Sequence, residues 1–232
     1  MTVIEQNQDG ECAIGSYTQE EIDYLKKHWC SLHNHTGISN ASRAFIDSSI
    51  KIENLVKYAM DKQLNGIAIT DHESVGGFIQ AEQLEESNNF PILRGNEIYL
   101  VSDKQYRTLK DEYESGMYFP HFLLIALDKK GNEQLRKLST IAWVDNSFWN
   151  GGLLRTPTKM SDLRMVIGND KGHLIASTAC LGGQLSKWIV DKIENTQLKN
   201  QRDMFIDYFI KWCVEMFGEG NFFLEMQPSD KY

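Results

Sequence analysis

Two imidazoles one residue apart in Leu32-His33-Asn34-His35-Thr36, and a third closing the run Gly66-Ile67-Ala68-Ile69-Thr70-Asp71-His72, are the side chains of this sequence best suited to chemistry. In extended chain alternate side chains share a face, so His33 and His35 can point into one site. The run from Gly66 to Thr70 reads as a short buried strand. Asp71 and His72 fall just past its end, where parallel α/β folds place their chemistry. Glu97, inside Ile92-Leu93-Arg94-Gly95-Asn96-Glu97-Ile98-Tyr99-Leu100, follows the same logic. A metal ion needs several N and O donors from separate chain segments, and it is the recurrence of such residues that points to a metal site.

Each of these residues also has a plainer reading. A single His-x-His can be structural, since a neutral imidazole is tolerated inside a protein when it is hydrogen-bonded. Glu97 can be a buried carboxylate paired with Arg94. Asp71 can hydrogen-bond an imidazole and fix its tautomer, or cap the turn that follows. Cys180 by itself reads as a core thiol, because buried Cys behaves as a small hydrophobe. His121 opens its apolar run where a strand-end ligand should close it, and pattern alone leaves it undecided. His28 and His173 lie apart from these motifs and read as surface or core residues.

The elements that must position these groups alternate. Thr18-Gln19-Glu20-Glu21 offers a capping box for a short helix ending near Lys27, after a lead-in without periodicity up to about Tyr17. Ile52, Leu55, Val56, Ala59 and Met60 share one helical face, with Gly66 as the stop beyond it. Apolar runs at 122–127, 174–179 and 222–226 read as strands, and Leu135, Leu138, Ile141 and Ala142 as a helix. Met204, Phe205, Tyr208, Phe209, Trp212, Cys213, Met216 and Phe217 form one broad face of a further helix that Gly218 ends, and this face reads as core packing. Residues 104–118 and 143–158, the latter with Gly151, Gly152 and Pro157, read as loops. Six strands, near His33, Ile69, Ile98, Leu124, Ile175 and Leu224, alternate with helices and predict one parallel α/β domain.

The chain has 232 residues, of which 41% are hydrophobic, enough for one sizeable core. A formal net charge of −8 argues against broad electrostatic binding of nucleic acid, so DNA would have to be gripped locally, through metals or by another domain. Cys12, Cys30, Cys180 and Cys213 are scattered with no Cys-x-x-Cys pair, so neither a disulfide framework nor a zinc ribbon is suggested, and a reducing compartment fits best. With no membrane-length apolar run and no secretory signal, the sequence reads as cytoplasmic, without a membrane partner.

Six blocks in order now matter together: Ser31-Leu32-His33-Asn34-His35-Thr36, Gly66 through His72, Gly95-Asn96-Glu97-Ile98-Tyr99-Leu100, His121-Phe122-Leu123-Leu124-Ile125-Ala126, Ser177-Thr178-Ala179-Cys180-Leu181-Gly182-Gly183 and Phe223-Leu224-Glu225-Met226-Gln227-Pro228. From about Trp29 onward the sequence resembles the polymerase and histidinol phosphatase (PHP) superfamily, and within it the N-terminal domain of bacterial DNA polymerase III alpha subunits. With Arg155-Thr156-Pro157-Thr158, the wording is most similar to polymerases of Gram-positive bacteria and their phages.

The resemblance implies a distorted (β/α)7 barrel of the TIM type, with up to three divalent metals (zinc, manganese or iron) at the C-terminal ends of its strands. It divides the chain into an N-terminal extension and short helix at 1–27 and a PHP domain at 28–232. It implies the metal ligands His33, His35, Asp47, His72, Glu97, His121 and Cys180, with Glu97, His72 and His121 as the catalytic groups. Glu97 suits the bridge, because one carboxylate can bind two cations. The chemistry implied is phosphoester hydrolysis, in some alpha subunits as a 3′–5′ exonuclease. The partners are then a DNA 3′ end and the remainder of the alpha subunit. A free-standing phosphatase and a non-catalytic scaffold are the alternatives, and Cys180 suits the alpha subunits, where phosphatases of the family often carry His. The family's last motif, Asp-x-His on a further strand, finds no match in Ser229-Asp230-Lys231-Tyr232, so the last strand is expected to be missing.

Overall fold

A computed structural model describes residues 4–6, 12–14, 18–42, 47–111, 118–150, 153–190 and 196–227. Gly151, Gly152, Pro228 and Asp230 lie outside the described residues. In chain order the elements are β1 (Ile4–Gln6), β2 (Cys12–Ile14), α1 (Gln19–His28), β3 (Cys30–Ser31), a 3-10 helix (Gly37–Ser42), α2 (Ile52–Asp61), β4 (Gly66–Ile69), α3 (Phe78–Asn88), β5 (Ile92–Val101) and α4 (Asp103–Asp111). There follow β6 (His121–Ala126), α5 (Lys129–Val144), β7 (Phe148–Asn150), β8 (Leu153–Arg155), β9 (Thr158–Lys159), α6 (Met160–Ile167), β10 (Leu174–Ser177), α7 (Gln184–Val190), α8 (Thr196–Phe217) and β11 (Phe222–Phe223).

The principal sheet has the order β11-β10-β6-β5-β4-β3, with β9 pairing β5 off this path. It is mixed, which corrects the expectation of a parallel sheet: β3, β4 and β5 are mutually parallel, as are β10 and β11, but β6 runs antiparallel to both β5 and β10. The reversal explains His121. In an antiparallel strand the first residue lies at the same end of the sheet as the last residues of its neighbours, so a residue that opens β6 reaches the end where Asp71 and His72 follow β4.

The sheet curls into an open, distorted α/β barrel. Ala68, Leu123, Ile125 and Ala179 pack together on its inner face, with Leu93 and Ile175 against them. On the outer face, Ile98, Phe122, Leu124 and Ala176 join Leu135 and Leu138 of α5, Leu163 of α6 and Phe209, Trp212, Cys213, Met216 and Phe217 of α8. Ile52, Val56 and Ala59 of α2 meet Ile67, Ile69, Ala81 and Ile92 in a second layer. Among the described residues no strand joins β11 to β3. The two edges face each other across a cavity of about 590 Å³ lined by Trp29, Leu32, Ile175, Phe223 and Leu224.

The capping box at Thr18 is present, its side chain accepting from Glu21 N and the Glu21 carboxylate accepting from Thr18 N. Other local expectations are corrected. The lead-in contains an antiparallel ribbon, Ile4–Gln6 against Cys12–Ile14. α2 is ended by Gln63 in the left-handed region (φ 58°) rather than by Gly66, which opens β4. Part of the segment 104–118 is α4, whose apolar contribution is confined to Tyr106 and Leu109. Residues 143–158 hold the antiparallel pair β7 and β8. The helical face of α8 is only half core, because Met204, Phe205 and Tyr208 are exposed.

Candidate metal centre

The centre is built on Glu97, buried in the middle of β5. The Glu97 carbonyl accepts a hydrogen bond from Glu73 N (3.0 Å), and its amide donates to Asp71 O (3.2 Å), which pairs the loop after β4 with β5 and sets His72 beside Glu97. His33 and His35 follow the end of β3, a strand shorter than the histidine spacing suggested. They still share a direction, for their Nε2 atoms lie 3.1 Å apart. His121 opens β6, with its amide donating to Gly182 O (2.8 Å).

Four imidazoles therefore surround one carboxylate. His33 Nε2 and His121 Nδ1 approach Glu97 Oε1 at 3.4 and 3.0 Å, while His35 Nε2 and His72 Nδ1 approach Oε2 at 3.1 and 3.0 Å. Asp47 closes the open side, with Oδ2 at 3.2 Å from His35 Nδ1 and 3.7 Å from His72 Nε2. Three overlapping groups could each hold an ion: His33, His35 and Glu97; His35, Asp47 and His72; His72, Glu97 and His121. Cys180 lies beside the third rather than within it, with Sγ 3.5 Å from His121 Nδ1 and 3.9 Å from Glu97 Oε1.

Electrostatics bind this cluster together. Burial alone would raise the Glu97 carboxyl, but hydrogen bonds from His121, His33, His35 and His72 hold it far below the usual carboxylate range. Burial would likewise lower His33, yet Glu225 and Glu97 raise it to about 10. Against the same cost of burial, Cys180 and Glu97 raise His121 to about 9. A cation suits this arrangement: several imidazole nitrogens converge on one buried carboxylate, two of them facing each other, and ion binding replaces the protons they otherwise need.

The supporting contacts decide several open readings. Arg94 pairs with Glu85 (2.6 Å), not with Glu97. Asp71 neither touches an imidazole nor caps a helix. Its Oδ1 accepts from Thr36 N (2.6 Å) and Ser39 Oγ (2.8 Å), and Ser39 Oγ lies 3.1 Å from His35 Nδ1, so Asp71 acts on the histidine through Ser39. His28 stacks on Tyr24, and His173 pairs with Asp128 and Asp170; both lie apart from the centre. Cys180 sits in a tight loop in which Ala179 is left-handed (φ 56°), and a Cβ on Gly183 would fall 2.1 Å from Thr178 O. Only glycine fits there.

Residues 31–229 match the PHP domain model. The chain belongs to the PHP domain family. The chain is 37% identical over 211 residues to the DNA-directed DNA polymerase of Bacillus phage SPbeta, covering 85% of this chain and 16% of that protein. It is 27% identical over 190 residues to DNA polymerase III subunit alpha of Aquifex aeolicus, covering 79% of this chain and 15% of that one. This chain thus spans about a sixth of the length of these curated relatives. A solved Bifidobacterium adolescentis structure, a candidate metal-dependent phosphoesterase, aligns over 76% of this chain and 74% of that one, at 14% identity and a TM-score of 0.41. No described helix is long and apolar enough to cross a membrane.

One residue of the PHP domain's centre was not singled out by sequence reasoning. Glu225, just past β11, accepts from Ser177 Oγ (2.6 Å) and Gln227 Nε2 (2.9 Å), and its Oε1 lies 2.6 Å from His33 Nδ1. Burial would raise its carboxyl, but His33 and Ser177 lower it. The available signal was its period: Phe223, Glu225 and Gln227 alternate with Leu224 and Met226, which puts a carboxylate where the strand reaches the end of the sheet that carries the histidines.

Proposed function

We propose that this chain is a metal-dependent phosphoesterase module of a replicative-type DNA polymerase, acting on the 3′ end of DNA as a 3′–5′ exonuclease in the cytoplasm. The observation that carries the reading is the ring of four imidazoles around Glu97. Such a set suits divalent zinc, manganese or iron. His33, His35, Asp47, His72, Glu97, His121 and the neighbouring Cys180 thiol would supply the donors. Bound there, the ions would polarise a phosphoryl oxygen, lower the pKa of a bound water and stabilise the leaving alkoxide.

The chain's own residues prepare this chemistry. Glu97 offers one oxygen to the His33–His121 side and the other to the His35–His72 side, as a bridging carboxylate must. When His33 donates its Nδ1 proton to Glu225, Nε2 is left as the lone-pair nitrogen facing Glu97. His72 and His121 flank the same carboxylate, and in this reading they complete the catalytic group with Glu97. No side-chain nucleophile is needed, so Ser177 and Cys180 have no attacking role in this account.

The relatives are much longer polymerases, which supports a parent in which this module works beside the remaining polymerase. The seam between β3 and β11 leaves room for a further strand, and in this reading the family's last Asp-x-His would lie there. The test is nucleotide release from the labelled 3′ end of an oligonucleotide by metal-loaded chain, with chelator and Glu97→Ala controls. Release that needs both metal and Glu97 supports the reading; metal binding without release, in this chain and in one extended through Asp-x-His, favours a metal-stabilised scaffold. Preference for a phosphomonoester favours a phosphatase.

A further inference from the structure

A second cavity opens on the outer side of the same end of the barrel. It measures about 260 Å³ and is lined by Leu100, Pro120, Phe122 and Met160, by Trp188 of α7, and by Phe205, Tyr208 and Phe209 of α8. Trp188 packs nearly parallel to Phe205 (centroids 6.2 Å, 27° between planes) and edge-on to Phe209 (5.9 Å, 89°). Polar groups enter from two places: Ser102 and Gln105 at the start of α4, and Gln184 at the start of α7. It lies just below the roughly 300–1,000 Å³ of ordinary small-ligand sites, a size for one planar ring system rather than a chain of them.

Its position gives it meaning. His121 lines this cavity as well as the metal centre, and Gln184 follows the Cys180 loop that pairs with His121 through Gly182. One turn along α7 from Gln184, Lys187 Nζ sits 4.0 Å from the centroid of the Tyr118 ring, and the Tyr118 hydroxyl donates to Gly182 O. An aromatic slot, amide groups and a cation therefore adjoin the wall that carries the metal-facing His121. Aromatic side chains stack on any nucleobase, amides can read its edge, and a lysine beside them suits the phosphate backbone.

We propose that this slot holds a nucleobase of the single-stranded DNA whose 3′ phosphodiester lies at Glu97. The inference rests on the phosphoesterase reading, and it adds a subsite that grips the strand by stacking in a chain whose overall charge is negative. Phe205 and Tyr208 are 58% and 61% exposed, so a partner can reach them and their removal leaves the buried aromatic cluster in place. The alternative occupant, an apolar peptide segment, would have no use for the shared wall with the metal centre.

The test uses short oligonucleotides with hydrolysis-resistant phosphorothioate linkages, carrying the fluorescent base 2-aminopurine at the first, second or third position from the 3′ end. They are titrated with the whole 232-residue chain in the presence of manganese. Stacking should quench the fluorescence most at one position. Phe205→Ala with Tyr208→Ala should weaken that binding about fivefold or more, the loss expected for at least one base–aromatic stack, at an unchanged melting temperature. An oligonucleotide abasic at that position should compete correspondingly worse. Equal quenching by the double variant, equal competition by the abasic strand, or no quenching at any position overturns the slot, as does displacement of the strand only by an apolar peptide. Hydrolysis of an ordinary oligonucleotide, measured in parallel, judges the phosphoesterase reading separately.

Discussion

Glu225 reaches across the open seam of the barrel to His33, with Oε1 2.6 Å from Nδ1, so the two edges of the sheet meet at the metal-facing end through this ion pair, with Gln227 Nε2 3.5 Å from the same nitrogen. The contact joins the segment after β11 to the segment after β3, far apart in sequence, and it fixes which nitrogen of His33 faces Glu97. Glu225→Ala should therefore weaken metal binding by about 10- to 100-fold, the usual cost of losing an orienting partner of a metal-bound histidine. Glu225→Gln should lose less, since its amide oxygen can still accept from Nδ1. Competition with a calibrated chelator measures this, and equal affinities in all three proteins would show that the seam contact has no part in the centre.

The cluster also sets a pH dependence. In the ion-free chain His33 is raised to about 10 and His121 to about 9, so each contributes stability that is complete below the ordinary imidazole value of 6.5 and is lost as pH rises through those values. Glu97 is held low, so its contribution is present above the ordinary 4.5 and lost on acidification. The ion-free chain should thus be most stable between 4.5 and 6.5 and should melt at lower temperatures as the pH rises towards 9. Divalent metal needs unprotonated imidazoles, so the difference in melting temperature between loaded and stripped chain should widen over the same range. Calorimetric scans with and without chelator decide this; a difference that narrows as pH rises contradicts it.

Cys180 Sγ stands beside the ion-holding groups, 3.5 Å from His121 Nδ1. If its thiolate binds metal, the cobalt-substituted chain should show a sulfur-to-cobalt charge-transfer band that Cys180→Ser removes. Gly183→Ala, which forces the loop away from Thr178 O, should weaken the same band and destabilise the fold by about 1–3 kcal/mol. A cobalt spectrum identical in wild type and Cys180→Ser would make Cys180 a bystander.

Much of this architecture is legible in the residues themselves. The β4 run is buried on both faces and apolar throughout, α2 shows a clean stripe, and Thr18 with Glu21 spells its own cap. What the residues hide depends on neighbours distant in sequence. Strand direction leaves no trace in an apolar run, so the one sign of the reversal of β6 was His121 at the head of its run rather than its end. α4 is mostly polar, with too narrow an apolar stripe to distinguish it from a loop. Nothing in the even apolar face of α8 distinguishes Phe209, which is buried, from Phe205, which is exposed beside the second cavity. Glu225 is one acid in a short alternating segment, and only the curl of the sheet brings it to His33.

Metal content tests the central account most directly. The purified chain, incubated with zinc, manganese or iron and freed of loose ions, should retain at least one divalent ion per chain by elemental analysis. His33→Ala combined with His35→Ala, and separately Glu97→Ala, should retain markedly less while keeping the helical signature of the fold. Equal and negligible metal in the wild type and these variants would contradict a metal centre at Glu97.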